Sequence, residues 1–460
     1  MENYNYKQTI PVTTECDVLV VGGGTAGFPA AISAARTGAR TILVERFGFL
    51  GGCFIGGAIG FHTFYNVYHR DPHAQKEKLV AGIPQEIVDR VTAMGGGMGH
   101  LEFTKSELTS VLTPIEPEHF KLLAHEMAQE AGVQLLLHTA AIGALTEDSR
   151  IRGVVIHNKA GLQAILAKQV IDCTGDGDIA ADAGVPFKNY TKDDGLNTFG
   201  RGISLTLRIA NVNLEETVAW LEGSAAIRSI VWGAKQGGSG RDLIRAGLNF
   251  REVMPEKVKE YGIGGGLITT SIMQHDLTYC NCTWHIPTDN LDAKDLTNSE
   301  LVLRRQAAKV IRFLRENIVG FENAYLALTS YQLGVRLSRI FDCEYELSRE
   351  EVLDGTKFDD QIGKLSFVDI PDQFIKDSGW VGVPYRIFIP KAVENLLLGG
   401  RMVSHDHLVH QTTRNTVAGM IGGQAVGTAA ALSFAAGISP RQLDPQTLRQ
   451  KLRADGVLLD

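Results

Sequence analysis

The 460-residue sequence predicts an α/β protein of two packed units, and three neighbouring features indicate this class. The aliphatic run at residues 17–21 is typical of a parallel strand buried on both faces. The segment from residue 27 to residue 37, stopped by Gly38, predicts a helix. Residues 41–45 predict a second strand, and a strand, glycine turn, helix and strand together form a βαβ unit.

Later segments extend this unit and interrupt it. We predict a helix over 119–131, strands over 133–138, 153–157 and 162–171, the last two in an antiparallel meander, a charged helix over 299–318 and a strand over 396–398. The first domain is therefore expected to comprise 14–58, 119–186 and 385–437, with an inserted mixed α+β substrate or cap domain of 59–118 and 187–384 and a C-terminal tail of 438–460. The triple glycines at 95–97 and 264–266 lack a preceding buried strand and predict loops.

Composition excludes several classes of function. The formal charge is −7 and the basic residues are scattered, so we expect no nucleic acid partner. The six cysteines have no regular spacing and the N-terminus has no secretion signal, which favours the cytoplasm. Residues 415–440 carry no charge and are long enough to span a bilayer, but their Gly, Ala, Thr and Ser content is too weakly apolar, so we expect no membrane span.

Gly22, Gly24 and Gly27 form the pattern G-x-G-x-x-G, with Thr25 and Ala26 between the last two glycines. The pattern follows a predicted strand and opens a predicted helix, the context of a Rossmann-type dinucleotide site. Gly22 allows the tight turn, Gly24 leaves room for a pyrophosphate, and Gly27 lets helix and strand pack closely. The N–H groups at the start of the helix then face the pyrophosphate.

Glu45 lies 21 positions beyond Gly24, at the end of the second predicted strand. A carboxylate there accepts hydrogen bonds from the adenosine ribose hydroxyls, and its charge would repel the 2′-phosphate of NADP.

These residues also carry a family resemblance. The run Asp17-Val-Leu-Val-Val-Gly-Gly-Gly-Thr-Ala-Gly27, followed by Glu45-Arg46 and Gly51-Gly52, resembles the nucleotide-binding signature of glutathione-reductase-type FAD proteins, especially the group of fumarate reductase and succinate dehydrogenase flavoproteins. Segments at 170–176, 320–324, 334–339, 395–401 and 422–428 resemble more narrowly a bacterial family of FAD-dependent oxidoreductases. The resemblance implies a Rossmann-type FAD-binding domain with FAD as the cofactor.

The resemblance also implies which residues contact FAD. Besides Gly22, Gly24, Thr25, Ala26, Gly27 and Glu45, these are Arg46, Gly51, Gly52, Cys53, Thr174, Gly175, Asp176, Gly400, Arg401, Gly422, Gly423 and Gln424. Many relatives have an acid near the position of Arg401, so a carboxylate contact to the ribityl chain from that position is not expected here. Cys53 could lie close to the flavin ring, where some flavoproteins attach the cofactor covalently, but it is interpreted first as a small buried packing residue.

The loop at 404–415 is the richest candidate for catalysis. His405 and His407, one residue apart, point to opposite sides of an extended chain, so one of them is expected to face the flavin as acid or base. Arg414 suits a carboxylate, an enolate or the flavin. With Asp406 and His410 the loop also offers metal ligands, but the spacing matches no zinc pattern and we predict no metal.

Arg336, in the segment 334–339, is a second candidate, either as a substrate grip or as a domain brace. From the resemblance we expect a dehydrogenase that transfers a hydride between a small organic substrate and flavin N5. Re-oxidation would use an external protein, quinone or oxygen, and a homo-oligomer is possible. Two alternatives are a flavin-dependent reductase of an activated C=C bond and a non-catalytic electron-relay subunit.

Overall fold

The structure is a computed structural model. It describes residues 7–57, 61, 63–68, 74–102, 110–190, 201–223, 248–249, 254–263, 268–270, 276–366, 368, 373–377 and 379–460. The triple glycine predicted as a loop at 264–266 lies outside these described residues.

The strands of the described residues are β1 (Val12–Val21), β2 (Thr41–Val44), β3 (Leu101–Glu102), β4 (Val111–Leu112), β5 (Gln134–Leu136), β6 (Ala140–Glu147), β7 (Arg150–Asn158), β8 (Gly161–Asp172), β9 (Phe187–Asn189), β10 (Leu207–Ala210), β11 (Leu248–Asn249), β12 (Ile268–Thr270), β13 (Asp276–Asn281), β14 (Tyr325–Thr329), β15 (Arg339–Phe341), β16 (Gln361–Leu365), β17 (Val381–Pro384) and β18 (Leu396–Leu398). The helices are α1 (Gly27–Arg36), α2 (Cys53–Gly57), α3 (Ile83–Ala93), α4 (Pro117–Glu130), α5 (Asp178–Asp182), α6 (Leu214–Gly223), α7 (Pro255–Glu260), α8 (Ala293–Asn317), α9 (Arg349–Leu353), α10 (His410–Thr413), α11 (Thr416–Ala436) and α12 (Pro445–Ala454).

A seven-stranded sheet organises the first unit, in the order β5-β2-β1-β8-β7-β6 with β18 also paired to β8. Strands β5, β2, β1, β8 and β18 pair in parallel, whereas β6, β7 and β8 form an antiparallel meander. The α/β class and the meander are therefore confirmed. Because β1, β8 and β18 run in parallel, the residues that follow them meet at one edge of the sheet.

Element boundaries differ from the sequence predictions where polar residues extend an element. Strand β1 starts at Val12. Its first residues are mostly exposed and form no aliphatic run, so the sequence pattern did not predict them as strand. Helix α8 begins at Ala293 rather than at residue 299, because the Asp292 side chain accepts hydrogen bonds from the N–H groups of Lys294 and Asp295. Strand β6 was not predicted, and it is half-exposed with irregular register.

The second unit is built on a five-stranded sheet in the order β11-β12-β13-β10-β14. Its core brings the buried face of α8, including Val310 and Phe313, against Leu207 and Ile209 of β10. We call this unit the cap.

Packing divides the chain differently from the predicted domain boundaries. Phe61 and Ile115, assigned to the cap by sequence, are buried in the first core, and so are Ile362 and Val381. The tail is also part of that core, because α12 buries Leu448. These side chains join the first core through contacts between residues distant in sequence, which local composition does not reveal.

Helix α11 is the helix of the described residues that is long and apolar enough to cross a membrane, yet 89% of its apolar window is buried inside the fold. Its glycines explain the burial. A Cβ added at Gly423 would lie 2.1 Å from the Ala26 carbonyl oxygen, and one at Gly427 would lie 2.1 Å from that of Ala30. The absence of side chains therefore lets α11 press against α1.

Candidate functional site

The turn after β1 contains two glycines at which any side chain would clash with neighbouring backbone. Gly22 has a φ of +96°, and a Cβ there would lie 2.5 Å from the Cys173 carbonyl oxygen. A Cβ at Gly27 would lie 1.7 Å from the Gly22 carbonyl oxygen. The absence of side chains at Gly22 and Gly27 therefore lets the start of α1 lie close to the ends of β1 and β8.

Gly24 differs from both, since a Cβ added there would meet only the Cα of Gly52, 4.0 Å away. The opposite wall is Gly52, whose φ of +53° favours glycine. The Gly51 N–H donates to the Gly23 carbonyl at 2.9 Å and fixes this wall. No side chain caps α1 at Ala26. Open space, glycine backbone and an uncapped helix start fit a pyrophosphate.

Glu45 is 6% exposed and supports the glycine turn directly. Its carboxylate accepts hydrogen bonds from the Gly23 N–H at 2.7 Å and from the Phe47 N–H at 2.8 Å. Burial raises the pKa of Glu45, and these hydrogen bonds oppose the shift. The predicted contact of Glu45 with ribose stays a prediction.

The turn after β8 is organised by a buried carboxylate, Asp172. It accepts hydrogen bonds from the Thr174 N–H at 3.0 Å and hydroxyl at 2.7 Å, and from the Ala180 N–H at 2.8 Å. Burial raises the pKa of Asp172 against these bonds. The bonds present Gly175 and Asp176 at the same sheet edge as the glycine turn.

Asp176 and Arg401 form an ion pair at 2.6 Å, with side chains 27% and 17% exposed. Both side chains are thus only partly exposed, and we call the space between them and the glycine turn at this edge of the sheet the cleft. Burial pushes the pKa of Asp176 upward, but Arg401 and a hydrogen bond from Ser338 outweigh it, and the pKa is lowered. Gly175, with a φ of +89°, leaves room for the guanidinium, since a Cβ there would lie 2.8 Å from an Arg401 nitrogen.

A segment from the cap crosses this cleft; we call residues 330–339 the crossing segment. At one end, Gln332 donates to the Cys53 sulfur at 3.0 Å and accepts from Arg46 at 3.2 Å. At the other end, the Ser338 hydroxyl donates to Asp176 at 2.6 Å. The segment therefore touches both walls of the cleft.

Cys53 starts α2 and its side chain is exposed to solvent. The protein walls around it still raise the pKa of the thiol by desolvation, and the charge of Arg401 offsets part of that shift. Cys53 thus lies in the cleft and is not the packing residue that the sequence indicated.

Three predicted cofactor residues of α11 have their contacts elsewhere. The Gln424 side chain is buried and accepts a hydrogen bond from the Ile83 N–H at 2.9 Å. A Cβ at Gly422 would meet Phe388, and one at Gly423 would meet Ala26. These contacts serve packing, and the predicted contacts of the three residues with FAD stay a prediction. Near the start of α11, by contrast, Gly419 lies beside the Thr25 hydroxyl.

The two histidines of the 404–415 loop differ in exposure, as their spacing predicted. His405 is fully buried, with ring nitrogens 2.9 Å and 3.3 Å from the carbonyl oxygens of Asp406 and Arg401, and burial lowers its pKa. The side chain of His407 is 29% exposed, and its Nδ1 lies 3.1 Å from an Asp406 carboxylate oxygen. Its ring packs beside Tyr190 at 5.7 Å. A buried His405 does not suit a catalytic role, whereas His407 remains a candidate.

The two arginines proposed for catalysis are held by polar groups. Arg414 ends α10 and donates from Nε to the Gln411 side chain at 2.5 Å. Arg336 donates to the Gly202 carbonyl at 2.8 Å, and its guanidinium lies 4.4 Å from the centre of the Trp284 ring. Among the described residues, no group of three or more His, Cys, Asp or Glu side chains is placed to hold a metal ion.

Comparison with known proteins decides the family. A family model described as FAD dependent oxidoreductase matches residues 17–452. The chain belongs to this family. It is therefore an FAD-dependent oxidoreductase with a Rossmann-type cofactor domain, and the open space at Gly24 and the uncapped start of α1 fit the pyrophosphate of FAD.

Curated relatives match parts of this oxidoreductase. Thiamine thiazole synthase of Methanococcus vannielii is 31% identical over 169 residues, which cover 35% of this chain and 56% of that protein. Digeranylgeranylglycerophospholipid reductase of Thermoplasma volcanium is 24% identical over 245 residues, covering 51% of this chain and 57% of that protein. The matched regions thus span little more than half of these two relatives.

Solved structures match at lower identity. A geranylgeranyl bacteriochlorophyll reductase-like protein of Thermoplasma acidophilum has a TM-score of 0.44 and 14% identity, covering 96% of this chain and 83% of that chain. The flavin-dependent brominase Bmp2 has a TM-score of 0.47 and 12% identity, covering 96% and 83%.

Sequence reasoning missed Gln332, Ser338 and Tyr190. Ser338 lies inside a segment that was singled out for its arginines, but the reach of its hydroxyl to a residue 162 positions away has no local signal. Gln332 stands next to that segment without a recognisable motif, and Tyr190 lies outside every segment that the sequence singled out. Pairing of β9 with β15 brings Tyr190 to the cleft.

Proposed function

We propose that this oxidoreductase oxidises a small organic substrate by transfer of a hydride to flavin N5. The supporting observation is the cleft at the carboxyl edge of the large sheet, where Asp176 and Arg401 face the crossing segment of the cap. Bound FAD supplies the hydride acceptor, and the electrons pass on to an external protein, quinone or oxygen. The chain itself supplies orientation, charge and a proton acceptor.

His407 is the proposed proton acceptor. A carboxylate 3.1 Å from Nδ1 favours the tautomer with a proton on that nitrogen, which leaves Nε2 able to accept a proton from the substrate. The ring of Tyr190 and the carboxylate of Asp406 restrict the orientation of the imidazole. The test of this role is His407→Gln, which should reduce kcat while FAD binding stays unchanged.

Arg401 and Arg414 are proposed to bind or stabilise negative charge. The ion pair with Asp176 holds Arg401 in the cleft, and Gln411 orients Arg414 at the start of α11. A guanidinium stays protonated at all relevant pH values, so each residue offers a permanent positive charge.

The proposal is tested with purified protein in two steps. Absorption spectra before and after acid precipitation report flavin content and covalent attachment. Anaerobic mixing with a panel of alcohols, amines and saturated acids should then bleach the flavin absorption when a substrate is present. The proposed direction would be contradicted by two results together: no member of the panel reduces the bound flavin, and enones or enoates re-oxidise the flavin after photoreduction.

A reductase of an activated C=C bond is the second candidate. It is favoured by the names of two relatives, the reductase of Thermoplasma volcanium and a urocanate reductase of Eggerthella lenta that is 48% identical over 50 residues, or 10% of this chain. Because both matches are partial, the direction of electron flow is decided by the experiment above.

A further inference from the structure

We propose that the cap completes the FAD site by donating a hydrogen bond from the Gln332 side chain to the pyrophosphate. Gln332 lies in the crossing segment, beside the space between Gly24 and Gly52, which we call the slot. A Cβ added at Gly52 would lie 2.9 Å from the Gly24 Cα and 4.0 Å from Nε2 of Gln332. The amide nitrogen therefore borders the space that fits the pyrophosphate. Such a contact would hold FAD equally in a dehydrogenase and in a reductase.

The orientation of the Gln332 amide follows from its two partners. The guanidinium of Arg46 carries only N–H donors, so the amide oxygen faces Arg46 and accepts from it at 3.2 Å. The Nε2 group, on the other side of the amide, donates to the Cys53 sulfur at 3.0 Å. The donor group is therefore directed to the residue that follows Gly52, at the wall of the slot.

The Nε2 group of Gln332 gains a better acceptor when a pyrophosphate is present. An amide nitrogen carries two N–H groups, and sulfur is a weak hydrogen-bond acceptor. A phosphate oxygen carries negative charge and makes a stronger hydrogen bond than the neutral Cys53 thiol. We therefore expect Nε2 to donate to the pyrophosphate when FAD occupies the slot.

A cluster of two aromatic rings and one lysine fastens the crossing segment beside the slot. The centre of the Tyr331 ring lies 5.2 Å from that of the Phe49 ring. The Lys121 ammonium lies 4.5 Å from the centre of the Tyr331 ring and 4.8 Å from that of Phe49. Phe49 belongs to the loop that leads to Gly52, so these contacts tie the residue before Gln332 to the wall of the slot.

The beginning of the crossing segment is held by the sheet of the cap. The Ser330 N–H donates to the Thr206 carbonyl at 2.8 Å, and the Ser330 hydroxyl accepts from the Thr206 N–H at 3.2 Å. On the cofactor side, Gly56 of α2 allows a close approach, because a Cβ there would lie 2.5 Å from the Ser330 Cβ. The cap thus reaches the slot through a segment that its own sheet positions, and FAD binding and cap docking should stabilise each other.

The test measures the Kd for FAD by fluorescence quenching of flavin-free protein. Gln332→Ala should raise the Kd about 10-fold, as for loss of one hydrogen bond to a charged group. Gln332→Glu keeps the shape of the side chain and an acceptor for Arg46, but it replaces the donor with a negative charge beside the pyrophosphate. We expect this variant to bind FAD more weakly than Gln332→Ala, with a Kd about 100-fold above that of the parent protein.

Gln134→Glu is the matched control, since it adds the same charge at the exposed start of β5, on the opposite edge of the large sheet, and should bind FAD as the parent protein does. The Tm of each flavin-free variant separates binding from folding and should stay near that of the flavin-free parent protein. A Kd in Gln332→Glu equal to or below that in Gln332→Ala would show that Gln332 only braces Arg46, and would overturn the inference. So would a loss of affinity that occurs only together with a lowered Tm.

Discussion

At the scale of single residues, Glu45 connects the fold to the cofactor. Its buried carboxylate holds the Gly23 and Phe47 N–H groups and so fixes the glycine turn. We expect Glu45→Gln to raise the Kd for FAD by about 10- to 100-fold, because hydrogen bonds to a charged group contribute about 1.5–3 kcal/mol. Titration of flavin-free protein by fluorescence quenching measures the Kd. The exposed Glu15, changed to Gln, is the control, and equal affinities in both variants would refute the role.

Gly24 gives a sharper test, since its environment separates folding from binding. A Cβ there meets no protein atom closer than 4.0 Å, so Gly24→Ala should fold with a Tm near that of the parent protein. The same methyl group would occupy the space in front of the helix start, and we expect FAD binding to weaken about 10-fold or more, equivalent to about 1.4 kcal/mol. Gly223→Ala, at a site with no atom within 4 Å, is the control. A variant that binds FAD normally would place the pyrophosphate elsewhere.

The residues that the sequence identified share a local signal, and the others do not. Gly22, Gly24, Gly27 and Glu45 lie at fixed spacings around one strand and one helix, so a pattern predicts them. Asp176 meets Arg401 across 225 positions, and only the pairing of β8 with β18 brings the two together. Burial of His405 was likewise beyond sequence reasoning, because a histidine in a polar loop has no periodic pattern that reports burial.

At the scale of elements, the contact between α1 and α11 decides among three interpretations of α11, the glycine-rich helix. Its small residues were compatible with a membrane span, a cofactor contact or close packing. The Cβ positions at Gly423 and Gly427 favour packing, since backbone oxygens of α1 occupy that space. The start of α11 then lies beside Thr25, so the same packing brings two helix starts to one edge of the sheet.

A methyl group in this contact should therefore lower stability. Gly423→Ala would place a Cβ 2.1 Å from the Ala26 carbonyl oxygen, a backbone atom that cannot rotate away. Overpacking of this kind costs about 1–3 kcal/mol, so we expect a lower Tm by differential scanning calorimetry. In Gly419→Ala the nearest atom is the Thr25 hydroxyl at 2.9 Å, which a rotation can move, and the Tm should change less. The reverse order of the two Tm values would contradict the packing argument.

At the scale of the whole molecule, polar contacts join the cap to the cofactor unit around the cleft. Asp176 takes a hydrogen bond from Ser338, and its backbone carbonyl accepts from Arg339 at 2.8 Å. On the other side, Arg208 of the cap lies 3.8 Å from the buried carboxylate of Glu116. Within the described residues the two hydrophobic cores are separate clusters, so these charges are expected to govern how firmly the cap is held.

The pH dependence of this junction follows from Asp176. Burial alone would raise its pKa, but Arg401 and Ser338 lower it below the ordinary value of 3.8, so the folded protein binds the proton less tightly than the unfolded chain. The stabilising contribution is therefore complete above that ordinary value and is lost as the pH falls through the lower pKa of the folded state. We expect Asp176→Asn to lower the Tm at pH 7, and the difference from the parent protein to shrink toward pH 3. Asp455→Asn, at an exposed pair with Lys451 far from the cleft, is the control for general acid effects. A difference between parent and Asp176→Asn that stays constant from pH 7 to pH 3 would show that the charge of Asp176 does not hold the cap.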